Sequence, residues 1–242
     1  MIFVGTAGWS IPKACARHFP GTGTHLQRYS RVLRCVEINT SFYKDHSATT
    51  YANWAKQTPR NFRFAVKLPR EITHEQRLRA ARRPLEQFLG GIAGLGRRLG
   101  PLIVQLPPSL AFESTPARRF FKLMRERFAG PVVCEPRHAS WLEPGADRLL
   151  KDLKIGRIAA DPAVVPAAAQ PGGWPGIVYC RLHGSPRRYW SVYEPNQLAQ
   201  WAKTLQALPR STLAWCVFDN TAGGGAASNA LQMAENLGIH RP

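Results

Sequence analysis

The chain has 242 residues, 44% of them hydrophobic and 20% charged, and its 33 Lys and Arg against 15 Asp and Glu give a formal net charge of +18. This balance is typical of a folded globular protein and excludes a disordered chain, and the length permits one domain or two. No run of about 18 apolar residues and no secretory signal is present, so we expect a cytoplasmic protein without a membrane-spanning helix.

Eight short β-prone runs follow one another along the chain, at residues 2–5, 35–39, 62–67, 102–105, 132–135, 157–161, 177–183 and 213–219. Segments with apolar residues at helical spacing, such as "YANWAKQ" and "ARRFFKLMRERF", separate most of them. Strands that alternate with helices imply a parallel sheet. Eight such strands in about 240 residues predict a single TIM-like (β/α)8 barrel over residues 1–242, with a doubly wound open sheet as the alternative.

The connections after the first and sixth strands are weak helix candidates, and the proline-rich "AVVPAAAQPGGWPG" after the sixth is expected to be irregular. At the other end of the chain, the pattern predicts a last helix around Ala227 to Leu237 that closes against the first helix.

Polar residues at the ends of these runs are the candidate catalytic groups, because the C-terminal ends of all strands of such a barrel meet at one face, where active sites lie. Side chains alternate along a strand, so Glu135 and Arg137 in "VCEPRH" project to the same side. The candidate catalytic set is Glu37, Lys67, Glu135, Arg137, Asp161, Arg181, His183 and Asp219.

This mixture of groups suits acid/base chemistry on a small anionic or polyhydroxylated substrate. Glu37 and Glu135 can act as base and acid if their environments separate their pKa values, and His183 can carry a proton near neutral pH. Cations at the same mouth can bind a carboxylate or phosphate, or stabilise an enediolate. Proton abstraction next to a carbonyl, as in a sugar isomerase or lyase, is the most concrete reaction; ion pairs that only fix loops are the alternative.

Candidate substrate-binding residues come from the strand ends and the loops after them. Aromatic side chains there offer flat walls on which a sugar ring or a base can stack. The last two loops, "HGSPRR" and "DNTAGGGAA", predict a phosphate site near Asn220 to Gly225, because glycines permit close backbone approach and a helix N-terminus follows. The binding set is Trp9, Asn39, Phe42, Tyr43, Gln105, Trp141, Arg187, Asn220, Gly223 and Gly224.

No cofactor is predicted, and a divalent metal is the weaker alternative. Carboxylates and His183 are suitable ligand types, but the chain has no HxH or HExxH spacing, and the nearby cations oppose a dication. The predicted partner is therefore a small anionic or sugar-like ligand, with no membrane partner and no predicted oligomeric state.

Nucleic-acid binding or processing is an alternative function. The net charge attracts polyanions, and cations beside aromatic side chains suit single strands or an extruded base. The basic residues are dispersed, however, and no helix-turn-helix, zinc-finger or RNA-binding motif is present. A basic solvated surface without any nucleic-acid partner gives the same composition, so charge alone does not decide between these functions.

Eight ordered motifs resemble the YecE-like family, the domain of unknown function 72. They are "GTAGWS", "VEINTSFY", "FAVKLPREITH", "LGPLIVQLPPSL", "CEPRHASW", "AADPA", "YCRLHGSPRRYWSVY" and "FDNTAGGGAASNA", and together they span nearly the whole chain. The resemblance implies a single TIM-like barrel, usually in prokaryotic cytoplasm, with a loose relation to sugar isomerases. It supplies no catalytic residue, and Ile11 stands where an aromatic residue often follows "GWS" in the family.

Overall fold

Short apolar runs of the chain form a ten-stranded sheet in the described part of the protein, residues 1–239 of a computed structural model. The predicted domain also includes residues 240–242, which lie outside the described residues. The strands are β1 Ile2–Ala7, β2 Cys35–Ile38, β3 Arg63–Lys67, β4 Leu99–Gln105, β5 Val132–Glu135, β6 Ile155–Arg157, β7 Ala159–Asp161, β8 Gly172–Gly173, β9 Ile177–Leu182 and β10 Leu213–Phe218.

Amphipathic segments between the strands form seven α-helices within residues 1–239. They are α1 His25–Ser30, α2 Ala48–Lys56, α3 Arg82–Ile92, α4 Ser114–Arg127, α5 Pro144–Asp152, α6 Pro195–Gln206 and α7 Gly225–Asn236. Helix α7, predicted around Ala227 to Leu237 against the first helix, instead packs mainly against α6, β1 and β10. None of the helices over the described range is long and apolar enough to cross a membrane.

The strand order is β7-β9-β10-β1-β2-β3-β4-β5-β6-β8, and every pair is parallel except β6 with β8. Only Ile158 separates β6 from β7, yet β6 pairs with β5 whereas β7 pairs with β9. The sheet is therefore nearly closed and barrel-like, which confirms the predicted α/β class. The run predicted as one strand at 157–161 differs from the structure, because this segment changes partner at Ile158 and so forms two short strands.

The predicted irregular connections follow β1 and β7. After β1 come a 3-10 segment at Lys13–His18 and the six-residue helix α1. After β7 come a second 3-10 segment, Pro166–Ala169, and the two-residue strand β8, which the sequence did not predict.

The apolar core has two layers because side chains alternate across the sheet. One layer lies between the sheet and the helices. The other draws only on strands and the short segments beside them, and it fills the inside of the sheet with Phe3, Cys35, Ala65, Ile103, Val133, Ile158, Ile177, Tyr179, Trp215 and Val217. Trp215 stacks between Phe3 and Tyr179, with ring centroids 4.9 Å and 5.8 Å away. This stack forms the apolar floor below the polar edge.

Trp215→Ala should lower the free energy of unfolding by about 3–5 kcal/mol, because it leaves a cavity inside the sheet where the indole is 1% exposed. Urea denaturation measures this loss. Trp190→Ala is the matched control: its indole is 50% exposed, so the change should stay below about 1 kcal/mol. Equal losses in the two variants would contradict an interior packed around Trp215.

Candidate active site

Charged and polar side chains from several strands meet at the C-terminal edge of the sheet. Parallel pairing brings these ends together, because each strand of the sheet other than β8 runs in the same direction. The contributors are Glu37 from β2, Lys67 from β3, Gln105 from β4, Glu135 from β5 and Arg181 from β9, with His183 and Asp219 one residue beyond β9 and β10.

Arg181 is the centre of this arrangement and is 1% exposed. Its Nε and Nη2 donate to the two Glu37 oxygens at 3.1 Å and 2.6 Å, and Nη2 also donates to Asp219 Oδ2 at 3.1 Å. Its Nη1 donates to Glu135 Oε2 and, at 3.1 Å, to Gln105 Oε1. All five guanidinium N–H donors are therefore used. We call Arg181 with Glu37, Gln105, Glu135 and Asp219 the Arg181 cluster.

Two carboxylates of the cluster, Glu135 and Asp219, are held in their charged form. Burial alone raises the pKa of Glu135, but the guanidiniums of Arg181 and Arg137 outweigh it and hold that pKa well below the usual range. Burial likewise opposes ionisation of Asp219, whose pKa is nevertheless lowered by its hydrogen bond with His183 and by Arg181. Both groups are thus anions at neutral pH.

Two further cations, Lys67 and Arg137, lie beside the cluster, and we call them the outer cations. Arg137 donates to Glu135 Oε1 at 3.0 Å and to Gln105 Oε1 at 3.2 Å, and its side chain keeps some exposure to solvent. Lys67 is 7% exposed, and its Nζ lies 3.8 Å from the centre of the Phe42 ring. Burial first, and then Arg181, lower the pKa of Lys67 to about 8.

His183 lies beneath the loop that follows β9. Its Nδ1 is 3.0 Å from Asp219 Oδ2, while Nε2 is buried at 3.4 Å from Glu135 Oε1 without hydrogen-bond geometry. The edge of the Tyr189 ring packs on the imidazole, with centroids 5.6 Å apart. A carboxylate can only accept, so Asp219 favours the tautomer with the proton on Nδ1.

Four other predicted site residues make contacts elsewhere. Asp161 accepts a 2.6 Å hydrogen bond from the Tyr193 hydroxyl. Trp9 packs on Trp54 in the layer between sheet and helices. Buried Trp141 donates to the Leu110 carbonyl, and Asn220 donates to Ser191 and Asn229. The structure does not bring these four residues into the Arg181 cluster.

The loop after β2 lies closer to the cluster. Phe42 contacts Lys67 directly, and the neighbouring Tyr43 is 78% exposed. Asn39 keeps a buried Oδ1 that makes no hydrogen bond. His74 packs edge-on against Phe42, and burial together with Lys67 lowers the pKa of His74 to about 4. Burial and the neighbouring cations thus favour a neutral imidazole at His74 on this side of the mouth.

Two tyrosines of the site were missed by sequence reasoning. Tyr179 donates to Glu37 Oε2 at 2.8 Å, and its position two residues before Arg181 in "YCR" was a signal, since it predicts the same side of the strand. Tyr189 lies over His183 because of the loop conformation, and no periodic pattern signals that contact.

The glycine loop after β10 is already engaged in contacts within the protein. The Ala222 N–H donates to the Tyr189 carbonyl and the Gly224 N–H to the Thr221 carbonyl. A Cβ on Gly223 would lie 2.7 Å from the carbonyl oxygen of Trp190, so the close approach that glycine permits here is to the neighbouring loop. Helix α7 begins at Gly225, and the Arg187 guanidinium stacks on the Trp190 ring at 4.7 Å.

Metal ligands are not grouped in this edge: within residues 1–239, no set of three or more His, Cys, Asp or Glu side chains is arranged to hold a metal ion. Of the carboxylates that the sequence offered as ligands, Glu37, Glu135 and Asp219 accept hydrogen bonds from Arg181, and Asp161 accepts one from Tyr193.

A barrel-like α/β sheet with a charged cluster at its C-terminal edge defines the class of protein, and comparison with known proteins supplies the family. The family model described as protein of unknown function DUF72 matches residues 3–242, so the chain belongs to this family, as the sequence motifs predicted.

Three relatives illustrate the similarity. The UPF0759 protein YecE of Escherichia coli K12 is 30% identical over 174 residues, which cover 69% of this chain and only 62% of that relative. The UPF0759 protein YunF of Bacillus subtilis is 25% identical across 99% of this chain and 95% of YunF. A DUF72 crystal structure from Enterococcus faecalis has a TM-score of 0.84 at 22% identity, over 100% of this chain and 97% of that chain, a likeness of fold.

Arg181→Met should lower the free energy of unfolding at about pH 7 by about 3–5 kcal/mol, because it leaves buried carboxylates without their common cation. The loss should shrink toward about pH 4. In the native protein, the lowered pKa values of Glu135 and Asp219 contribute stability that is present above the ordinary carboxyl pKa and lost as the pH falls toward the folded values. In the variant, the unpaired carboxylates protonate more readily.

Urea denaturation at both pH values measures the two losses. The matched control is Arg127→Met, which removes an exposed partner of Glu86 and should cost less than about 1 kcal/mol. A loss in Arg181→Met that does not change with pH would contradict a charge-based role for the cluster.

Lys67 should lose its proton near pH 8, well below the value of about 10.4 for an ordinary lysine, since burial and the nearby guanidiniums disfavour its ammonium form. The ¹³Cε chemical shifts of labelled lysine, followed against pH, give the midpoint, and Lys67→Met identifies the signal by its loss. A midpoint near the ordinary value for that signal would refute the prediction.

Inorganic phosphate should bind near residues 220–225. Arg187→Ala should lower the affinity for phosphate by roughly five- to ten-fold, the loss expected for one charge-assisted hydrogen bond. Tryptophan fluorescence reports the titration, because Trp190 contacts Arg187. Arg118→Ala on the exposed face of α4 removes the same charge and should leave the affinity unchanged. Equal affinities in the two variants would rule out this loop as the anion site.

Proposed function

We propose that the protein is an enzyme that acts on a small anionic or polyhydroxylated, sugar-like substrate by acid/base chemistry at the C-terminal edge of the sheet. In this proposal β6 and β7 serve as one strand of an eight-stranded TIM-like barrel, since together they join β5 to β9. The active site is then where such barrels usually have it.

One observation carries the proposal: every guanidinium donor of Arg181 is used within the Arg181 cluster, whereas the outer cations beside it keep donors without a partner among the described residues. The Arg137 side chain is partly exposed, so it can bind a carboxylate or phosphate of the substrate. Lys67, with a pKa lowered to about 8, can donate a proton or hydrogen bond to a carbonyl oxygen near neutral pH.

The roles of the carboxylates differ from the acid and base first assigned to Glu37 and Glu135. Both are bound by Arg181, and Glu135 by Arg137 as well, so in the proposal they hold the cations in place. A substrate whose carbonyl lies at Lys67 and whose anionic group lies at Arg137 would have the developing negative charge of an enediolate next to two cations. Isomerisation and lyase reactions of sugars both develop this negative charge on an enediolate-like intermediate.

A thermal-shift panel of sugar phosphates, sugar acids, neutral sugars and oligothymidylate tests the proposal. A ligand at about 100 times its dissociation constant stabilises the protein by about 2.7 kcal/mol, which raises Tm by roughly 5–10 °C for a chain of this size. Arg137→Ala should abolish most of the shift given by an anionic sugar, whereas Arg118→Ala should retain it. No shift with any small anion, or equal shifts in both variants, would sink the proposal.

Nucleic-acid binding or processing is the second candidate, favoured by the exposed aromatic side chains of the loops at this edge. Tyr43, Tyr189 and Trp190 all expose their rings, and Arg187 stacks on Trp190. Bases can stack on such rings beside cations. If the protein binds nucleic acid, its affinity for oligothymidylate should fall steeply between about 50 and 200 mM salt, and Trp190→Ala should weaken it. Binding of a sugar that requires Arg137 would instead favour the first candidate.

A further inference from the structure

Lys67 is bound differently from the two arginines of the site. Arg181 uses five donors and Arg137 is held by Glu135 and Gln105, but within residues 1–239 Lys67 Nζ makes no hydrogen bond and lies 3.8 Å from the centre of the Phe42 ring. The Lys67 side chain is largely buried, yet Nζ is not among the fully enclosed polar atoms of the described residues, so no fixed acceptor holds its ammonium form and the amine can be reached by a ligand. The environment therefore favours a neutral amine, which is the nucleophilic form of lysine.

The immediate neighbours of Lys67 support the same conclusion. Burial first, and then Arg181, lower its pKa, and Arg137 acts in the same direction, whereas Glu37 and Glu135 oppose them. With a pKa near 8, roughly a quarter of the amine is neutral at about pH 7.5, compared with about a thousandth for an ordinary lysine. Arg137 is also the cation best placed to hold an anionic group next to this amine, because part of its side chain is exposed.

We propose that Lys67 is a nucleophile that forms an imine with a small aldehyde or ketone carrying a carboxylate or phosphate group. This inference rests on the proposed function and deepens it, since a covalent bond to the carbonyl carbon takes the place of a hydrogen bond to the carbonyl oxygen. Arg137 binds the anionic group and so directs the carbonyl toward Nζ.

The step balances without a cofactor. The neutral Nζ attacks the carbonyl carbon, the C–N bond forms, and the carbonyl oxygen takes a proton to give a carbinolamine. The hydroxyl group then leaves as water, carrying the second proton lost from nitrogen, and the C=N bond remains. No electrons are transferred to or from another molecule, and the imine withdraws electrons from the neighbouring carbon, which eases removal of its proton.

Reductive trapping tests the inference. The full chain is incubated at about pH 7.5 with glyoxylate, pyruvate or dihydroxyacetone phosphate and sodium cyanoborohydride, which reduces an imine to a stable secondary amine. Peptide mass mapping then locates the adducts. With at least one probe, Lys67 should be modified at least about ten times faster than exposed Lys122 of α4, as expected from its larger neutral fraction.

Variants make the assignment specific. Lys67→Met should lose the fast adduct while Lys122→Met keeps it, and Arg137→Ala should slow trapping of the anionic probes with Lys67 still present. Because Lys67→Met removes the amine outright, the Tm of this variant is measured as a check on folding. In the unsubstituted protein, the rate of trapping on Lys67 should rise with pH and reach half its maximum near pH 8. Modification of Lys67 no faster than Lys122 with all three probes would overturn the inference.

Carbonyl-free analogues separate this failure from failure of the proposed function. Lactate and glycerol phosphate carry the same anionic groups and form no imine. If they raise Tm in a manner that depends on Arg137 while no probe is trapped on Lys67, the site binds small anions but does not use covalent chemistry. If neither binding nor trapping is found, both proposals fall.

Discussion

The C-terminal edge of the sheet depends on one buried guanidinium. Arg181 has five N–H donors, and their acceptors come from β2, β4, β5 and the residue after β10. A charge removed from water in this way is tolerated only when each partner is in place, because a buried ion that loses a partner costs several kcal/mol. The positions of four strand ends are therefore tied to the position of a single side chain.

The same charge determines which neighbouring groups are reactive. By keeping Glu135 and Asp219 ionised, Arg181 makes them poor proton acceptors and good hydrogen-bond acceptors for cations. Burial first, and then repulsion by Arg181, shift Lys67 toward its neutral form. The ion cluster is thus part of the electrostatic environment of this amine.

Two features could be predicted from the sequence because they depend on local patterns. They are the alternation of strands with helices and the polar residues at the strand ends. Alternation along a strand also placed Glu135 and Arg137 on one side, where Arg137 donates a hydrogen bond to Glu135. Local sequence patterns could not distinguish aromatic side chains that line the site from those that pack in the core. Trp9 and Trp141 follow strands just as Phe42 does, yet they pack behind the sheet while Phe42 meets Lys67.

By itself, the sequence determined the class of fold, the family and the side chains available at the mouth, since periodicity and ordered motifs are properties of neighbouring residues. Tertiary structure alone decided that the segment around Ile158 changes partner between β5 and β9, and that Glu37 accepts hydrogen bonds from Arg181 and Tyr179. Glu37 and Arg181 lie 144 residues apart. Their contact exists because β10 pairs with β1, which places β9 and β2 near each other in one sheet, and no local pattern in the chain encodes that pairing.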